Sequence, residues 1–365
     1  MKGEIMKRNS ALAVLVVLAT FAPGSQAEET GDPLTADVSR WSHFIKENPS
    51  KDEMWIQIKD GSEPILKRAE TALRDGRRFL ALHRLSAVRV NLSASVYLAE
   101  RGDLKGSDDS RFEAEWKRVG SLLSPDSWPP STRAFDGVTP AAVRAIGEAA
   151  LPQAHIYHEA SLEYGRNTMP QYGLYYLGAA LAQRDFVAFC RKLSAPSERP
   201  PVPIRSLRPE LDALENEVLS AYRPPAAIDG HSIFITVSGT LKEARELDAA
   251  GLHHGALLRY LQAAARFSPL RSMKPQPEKA VLEEKLRDLG VRLSEQKSDS
   301  SIGRLFLELA QEDLADPVTP GSPAVAAAIV DDVLPRYFAT LLPTSAEPSR
   351  PTPAVTVTLV RWPYT

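Results

Sequence analysis

Leu73-Arg-Asp-Gly-Arg-Arg-Phe-Leu-Ala-Leu-His-Arg-Leu85 decides the fold. Before it, Ile65, Leu66, Ala69, Ala72 and Leu73 recur at helical spacing. After it, Phe79, Leu82, Leu85, Val88 and Leu92 do the same. Each series puts its apolar side chains on one face of a 3.6-residue helix. Asp75-Gly76 between them is a turn, because glycine takes backbone angles closed to other residues. Two helices folded back at Gly76 bury the two stripes against each other.

The same arrangement returns in Gly251-Leu-His-His-Gly-Ala-Leu-Leu-Arg-Tyr260. With the two glycines superposed, Ala81-Leu82 falls on Ala256-Leu257 and Arg84 on Arg259. Met169 to Leu193 has a similar rhythm, with Gln183-Arg184-Asp185 read as the link between two helices, but without the glycine. The small residue, glycine turn and Ala-Leu pair, with Tyr260 and Ala263-Ala264 in one copy and Leu85 in the other, resemble the tetratricopeptide-type helical-hairpin repeats. The resemblance covers residues about 66–98 and 240–267. It implies stacked helical hairpins with a concave protein-binding face. The copies depart from the steady spacing of about 34 residues of that family, and no proline closes each unit.

Outward from these hairpins the chain reads as helix almost throughout. A first helix runs from Asp37, with Val38, Trp41, Phe44 and Ile45 on one face, and stops at Asn48-Pro49. Further helices are expected over Phe112 to Leu123, Ala141 to Ala150 behind a Thr139-Pro140 start, Gln153 to Tyr164, Glu210 to Tyr222, Ala256 to Phe267, Pro277 to Gln296, Ser301 to Leu314 and Pro323 to Leu342. His231 to Ser238 has strand-like composition, but Leu241, Ala244, Leu247 and Ala250 continue its apolar spacing, so it is read as helix. Residues 195–209 hold prolines at 196, 200, 201, 203 and 209 and form a connector between halves 37–194 and 210–343. The tail 344–365 is different: Val355, Val357 and Leu359 alternate as in a strand over 354–362. The expected class is all-α, an irregular array of helical hairpins, solenoid-like or compact, with a short C-terminal β-strand that offers itself for homo-oligomerisation.

The first 27 residues read as a secretory signal peptide: Lys2, Lys7 and Arg8, an apolar run from Ala11 to Ala22, then a small-residue ending at Ala27. That run is shorter than the roughly 20 residues of a membrane span. The expectation is a soluble periplasmic or secreted protein with no integral span after signal removal, preceded by a lead-in over 28–36. The formal charge of the whole chain is -2, and the leader holds three bases and one acid, so its removal gives -4. Such a balance offers no basic field for nucleic acid. Cys190 is the only cysteine and sits among apolar residues, where it is expected to be a buried, inert thiol.

Catalytic motifs are missing. There is no Gly-x-Ser-x-Gly and no glycine-rich phosphate loop. His155, His158, Glu159 and Glu163 lie close on one helix, a spacing that can hold a metal, but without the His-Glu-x-x-His order. They form the weak metal alternative, no cofactor being expected. Tyr172, Tyr175 and Tyr176 crowd one helix and cannot all enter one core, so at least one lines a groove; Arg84, Arg259 and Tyr260 are the candidates to join them. Tyrosine gives large contact area with a polar tip. The favoured function is an exported, non-enzymatic binding or scaffold protein of the bacterial cell envelope, taking a protein, peptide or glycan partner. The alternative is a periplasmic hydrolase acting on polysaccharide or peptide, with His and Glu residues in an inter-helix cleft.

Overall fold

Both glycine turns form as read. Gly76 and Gly251 have φ of 74° and 75°, values that cost a side-chain-bearing residue roughly 1–2 kcal/mol. At each turn the residue after the glycine donates five positions back, Arg77 N–H to Ala72 O at 2.8 Å and Leu252 N–H to Leu247 O at 2.9 Å. The glycine itself donates three back, to Leu73 O and to Asp248 O, both at 3.0 Å. This is one doubly bonded helix ending used twice.

The computed structural model describes residues 32–48, 53–104, 109–124, 127, 135, 139–166, 170–193, 199–201, 203–223, 230–271, 278–315 and 322–341. Their helices are α1 (Pro33–Glu47), α2 (Glu53–Arg74), α3 (Arg78–Glu100), α4 (Asp109–Leu123), α5 (Ala141–Arg166), α6 (Pro170–Lys192), α7 (Arg208–Ala221), α8 (His231–Ala249), α9 (His253–Arg271), α10 (Lys279–Ser294), α11 (Ser301–Ala315), α12 (Ser322–Ala328) and α13 (Leu334–Leu341). A 3-10 turn at Gly102–Leu104 follows α3, and a π-helical stretch, Ile329–Val333, joins α12 to α13. None of these helices is long and apolar enough to cross a membrane.

α2 pairs with α3, α5 with α6, and α8 with α9; α6 also packs on α3, and α5 on α9. α11 touches α3, α5 and α10. One core draws buried side chains from all of the described helices except α4, on both sides of the proline-rich connector. A smaller cluster lies where α4 covers α5 and α6. The result is a helical array, as the hairpin reading required.

Three expectations change. Among the described residues there is no strand, so the class is all-α without the C-terminal β-strand; residues 354–362 lie outside those described, and every described element is helical, leaving no sheet edge to pair with. The leader, residues 1–27, also lies outside them. Second, α5 runs unbroken through Pro152, and α2 through Pro64. Close to Pro152, Arg259 of α9 donates to Ala149 O at 3.2 Å and ties this part of α5 to α9. Third, Gln183-Arg184-Asp185 is not a link but lies inside α6. The segment from His231 is helical, as expected.

Carboxylates from distant parts of the chain hold the starts of α3, α5 and α9. Asp299 accepts from Ala141 N–H at 2.7 Å and from Ser301 N–H at 2.8 Å, serving α5 and α11 together. Glu148 of α5, 1% exposed, accepts from Gly255 N–H of α9 at 2.8 Å and from Arg144 at 2.6 Å. Glu308 of α11 accepts from Leu80 N–H in the first turn of α3. Negative charge suits helix N-termini, but Glu308 is 8% exposed and one of its oxygens has no partner. Burial pushes its carboxyl up to about 7, against the pull of Leu80, Arg304 and Arg77.

The sign follows directly. A carboxyl raised on folding stabilises fully below its unfolded value of about 4.5, and that contribution is lost as pH rises through about 7. The shift corresponds to roughly 3 kcal/mol. Glu308→Gln is expected to flatten the decline in urea stability between about pH 5 and pH 8; an unchanged decline would place the titrating group elsewhere.

Candidate functional site

α5 and α6 pack at backbone contact, and glycines make this possible. A Cβ at Gly173 would sit 2.7 Å from Gly165 Cα and 2.8 Å from its nitrogen. The two backbones therefore touch across the hairpin, with the Phe112 ring of α4 over both glycines. On the other side of α6, a Cβ at Gly178 would meet Ala94 Cα of α3 at 2.9 Å. Small residues let α6 lie between two neighbours at backbone contact.

That closeness stacks five tyrosines. Tyr176 of α6 lies between Tyr164 and Tyr157 of α5, with ring centroids 5.0 and 5.9 Å away and planes 26° and 27° from its own. Tyr172 adjoins Tyr164 at 6.2 Å, and Tyr175 meets Tyr176 edge-on at 5.9 Å. The inner rings are half-buried. Tyr175 donates to Asn91 Oδ1 of α3 at 3.1 Å. The outer ones are open, Tyr164 at 38% and Tyr172 at 39% exposure. Burial, together with neighbouring phenols, pushes the Tyr175 and Tyr176 hydroxyls up. Those two therefore stay neutral hydrogen-bonding groups at ordinary pH.

α4 fastens this hairpin. Trp116 and His158 stack at 4.5 Å and bond reciprocally: Trp116 Nε1 donates to His158 O at 3.0 Å, and His158 Nε2 to Trp116 O at 2.9 Å. Gly120 leaves room for the imidazole, which a Cβ there would meet at 3.0 Å. Glu115 of α4 accepts from Arg118 at 2.7 Å and from the Tyr97 hydroxyl of α3. These bonds, Arg118 first, hold its carboxyl near 2.

Tyr172, Tyr175 and Tyr176 are thus brought together, with Tyr157 and Tyr164 added. Seven residues separate those two in the sequence, two helical turns, which was the available signal. The other three candidates go elsewhere. Tyr260 is 2% exposed, and its hydroxyl accepts from Arg336 at 3.0 Å. Arg84 is paired with Glu312 of α11. Arg259 reaches Glu243 of α8 at 3.0 Å and Ala149 O of α5 at 3.2 Å, bridging helices; its charge acts on the Tyr157 hydroxyl against the upward push of burial. His83 takes a contact from Gln262 at 3.3 Å; burial, then Arg84, Arg259 and Arg266, lower it to about 3.

The histidine and acid set does not converge. His158 is buried against Trp116, whereas His155, Glu159 and Glu163 face solvent. Among the described residues no three His, Cys, Asp or Glu side chains gather as a metal site would need. Asp248 accepts from both Ser206 Oγ at 2.6 Å and His253 Nδ1 at 3.0 Å. The acid stands between them, so the histidine does not reach the serine as a general base must. Asp248 also accepts from Leu207 N–H at 2.9 Å, a capping role. Cys190 is fully buried, and burial pushes its thiol up.

No protein-family model, curated protein or solved structure matches the chain.

Proposed function

We propose that this chain is an exported, non-enzymatic binding or scaffold protein of a bacterial cell envelope, recognising a protein, peptide or glycan through the tyrosine-lined face of α5 and α6. The tyrosine stack carries the reading. Its rings are held in place by glycine contacts, and its outer members are exposed. Rigid aromatic side chains supply contact area at low entropic cost. The export assignment rests on Lys2, Lys7, Arg8 and the apolar run to Ala22. A kinship with tetratricopeptide-type repeats is part of the proposal. It is supported by the matched turns at Gly76 and Gly251 and by the buried Ala81, Leu82, Ala256 and Leu257 at corresponding places.

The test is a pair of exposed substitutions, Tyr164→Ser with Tyr172→Ser. Probed on arrays of envelope-derived peptides and glycans, the parent chain is expected to bind a defined subset. The double variant, with an unchanged circular dichroism spectrum, is expected to lose about tenfold or more in affinity. No array binding, or binding indifferent to both substitutions, would remove the reading.

A further inference from the structure

We infer that the tyrosine face takes a basic peptide segment, one presenting lysine or arginine among apolar side chains; this rests on the binding role proposed above.

On α5, Ile156, Glu159, Glu163 and Tyr164 are all exposed. At about 100° per residue, Ile156 and Glu163 lie within about 20° of each other, with Glu159 about 60° to one side and Tyr164 about 80° to the other. They share one outward sector, which Tyr172 of α6 extends next to Tyr164. An isoleucine, a phenol ring and two carboxylates of α5 therefore fall within one outward arc of about 140°, with the Tyr172 ring beside Tyr164.

Several acids elsewhere are matched by bases across helices: Asp37 with Arg89, Glu243 with Arg259, Glu217 with Arg336. Arg166, three residues after Glu163 on α5, is engaged by Glu113 of α4 at 3.0 Å. Guanidinium groups lie over Trp41, Tyr97, Phe189 and Phe338. Among the described residues, no base pairs with Glu159 or Glu163, and no guanidinium lies over Tyr164, Tyr172 or Tyr176. Glu159 and Glu163 stand one turn apart, where like charges repel. Glu246 of α8 adds to this: burial, then Glu243 and Glu159, raise its carboxyl against the pull of Lys242.

Ring faces without cations beside carboxylates without bases are complemented by a cation on an apolar stem. Lysine and arginine have that shape. The stem lies along Ile156 and the rings, and the head reaches a carboxylate or a ring face. An acidic segment or uronate chain brings the wrong sign.

Fluorescence anisotropy tests this on the purified protein with three fluorescein-labelled peptides: alternating lysine and leucine, the same with glutamate for lysine, and the same with glutamine. The lysine peptide is expected to bind, to weaken with added salt, and to lose about tenfold with Glu159→Gln plus Glu163→Gln. The glutamate peptide is expected not to bind. Equal affinity for the glutamine or glutamate peptide, or an unchanged double variant, overturns the charge assignment. If Tyr164→Ser with Tyr172→Ser still abolishes that charge-blind binding, the broader binding role stands. If no peptide binds, the inference falls; a glycan bound on the array and lost with the tyrosine pair would then carry the broader role alone.

Discussion

Asp37→Ala is expected to lower the unfolding free energy by about 3–5 kcal/mol, the cost of leaving a buried charge without its partner. Asp37 of α1 is 8% exposed and lies 3.1 Å from Arg89 Nε of α3, whose side chain is 13% exposed. The contact is one of charge, since neither atom has an aligned hydrogen-bond partner. Arg89 is wedged against Phe186 and Phe189 of α6, its guanidinium 5.8 and 4.9 Å from their centroids. It cannot swing into water when the acid is removed. Arg40 lies 3.7 Å from Asp37 but is 59% exposed, and adds little. Asp37→Ala combined with Arg89→Met should recover much of the loss, because no lone charge remains. Urea denaturation measures both. A loss below about 1 kcal/mol for the single variant would mean that water reaches the pair.

Gly173→Ala is the second large effect, and its sign is diagnostic. In a free helix alanine is favoured over glycine by about 1 kcal/mol. Here the added methyl meets the Gly165 backbone at 2.7 Å, and backbone has no rotamer to yield. The hairpin must part, at an expected net cost of about 3 kcal/mol. The tyrosine stack should loosen with it, seen as reduced near-ultraviolet circular dichroism. Gly165→Ala meets chiefly the Phe112 ring, which can turn, so its cost should be smaller. If Gly173→Ala stabilises the protein, the two backbones are not in contact.

The parts of this fold legible in sequence were those decided locally. Gly76 and Gly251 announce left-handed turns because no other residue is as comfortable there. The apolar spacing around Leu241 outweighed the strand-like composition at His231. What escaped the sequence was settled at long range. Pro152 looked like a helix end, yet α5 continues through it on its tertiary packing. Asp299, Glu148 and Glu308 hold the starts of α5, α9 and α3 from far along the chain, and only Asp299, which also caps the adjoining α11, has a local sign of such a role. Tyr172, Tyr175 and Tyr176 stood out by crowding. Tyr157 and Tyr164 needed the knowledge that α5 packs against α6. Tyr260 looked like a groove residue from its place beside Arg259, but Arg336 of α13 covers its hydroxyl.

The most direct test of a tyrosine-lined recognition face is nitration with tetranitromethane, mapped by peptide mass, with and without the lysine–leucine peptide. Tyr164 and Tyr172 are expected to react first in the free protein and to be shielded when the peptide is bound, while Tyr260 and Tyr337, 2% and 1% exposed, stay unmodified in both. Nitration of Tyr260 ahead of Tyr164, or reaction of Tyr164 and Tyr172 indifferent to saturating peptide, would contradict it.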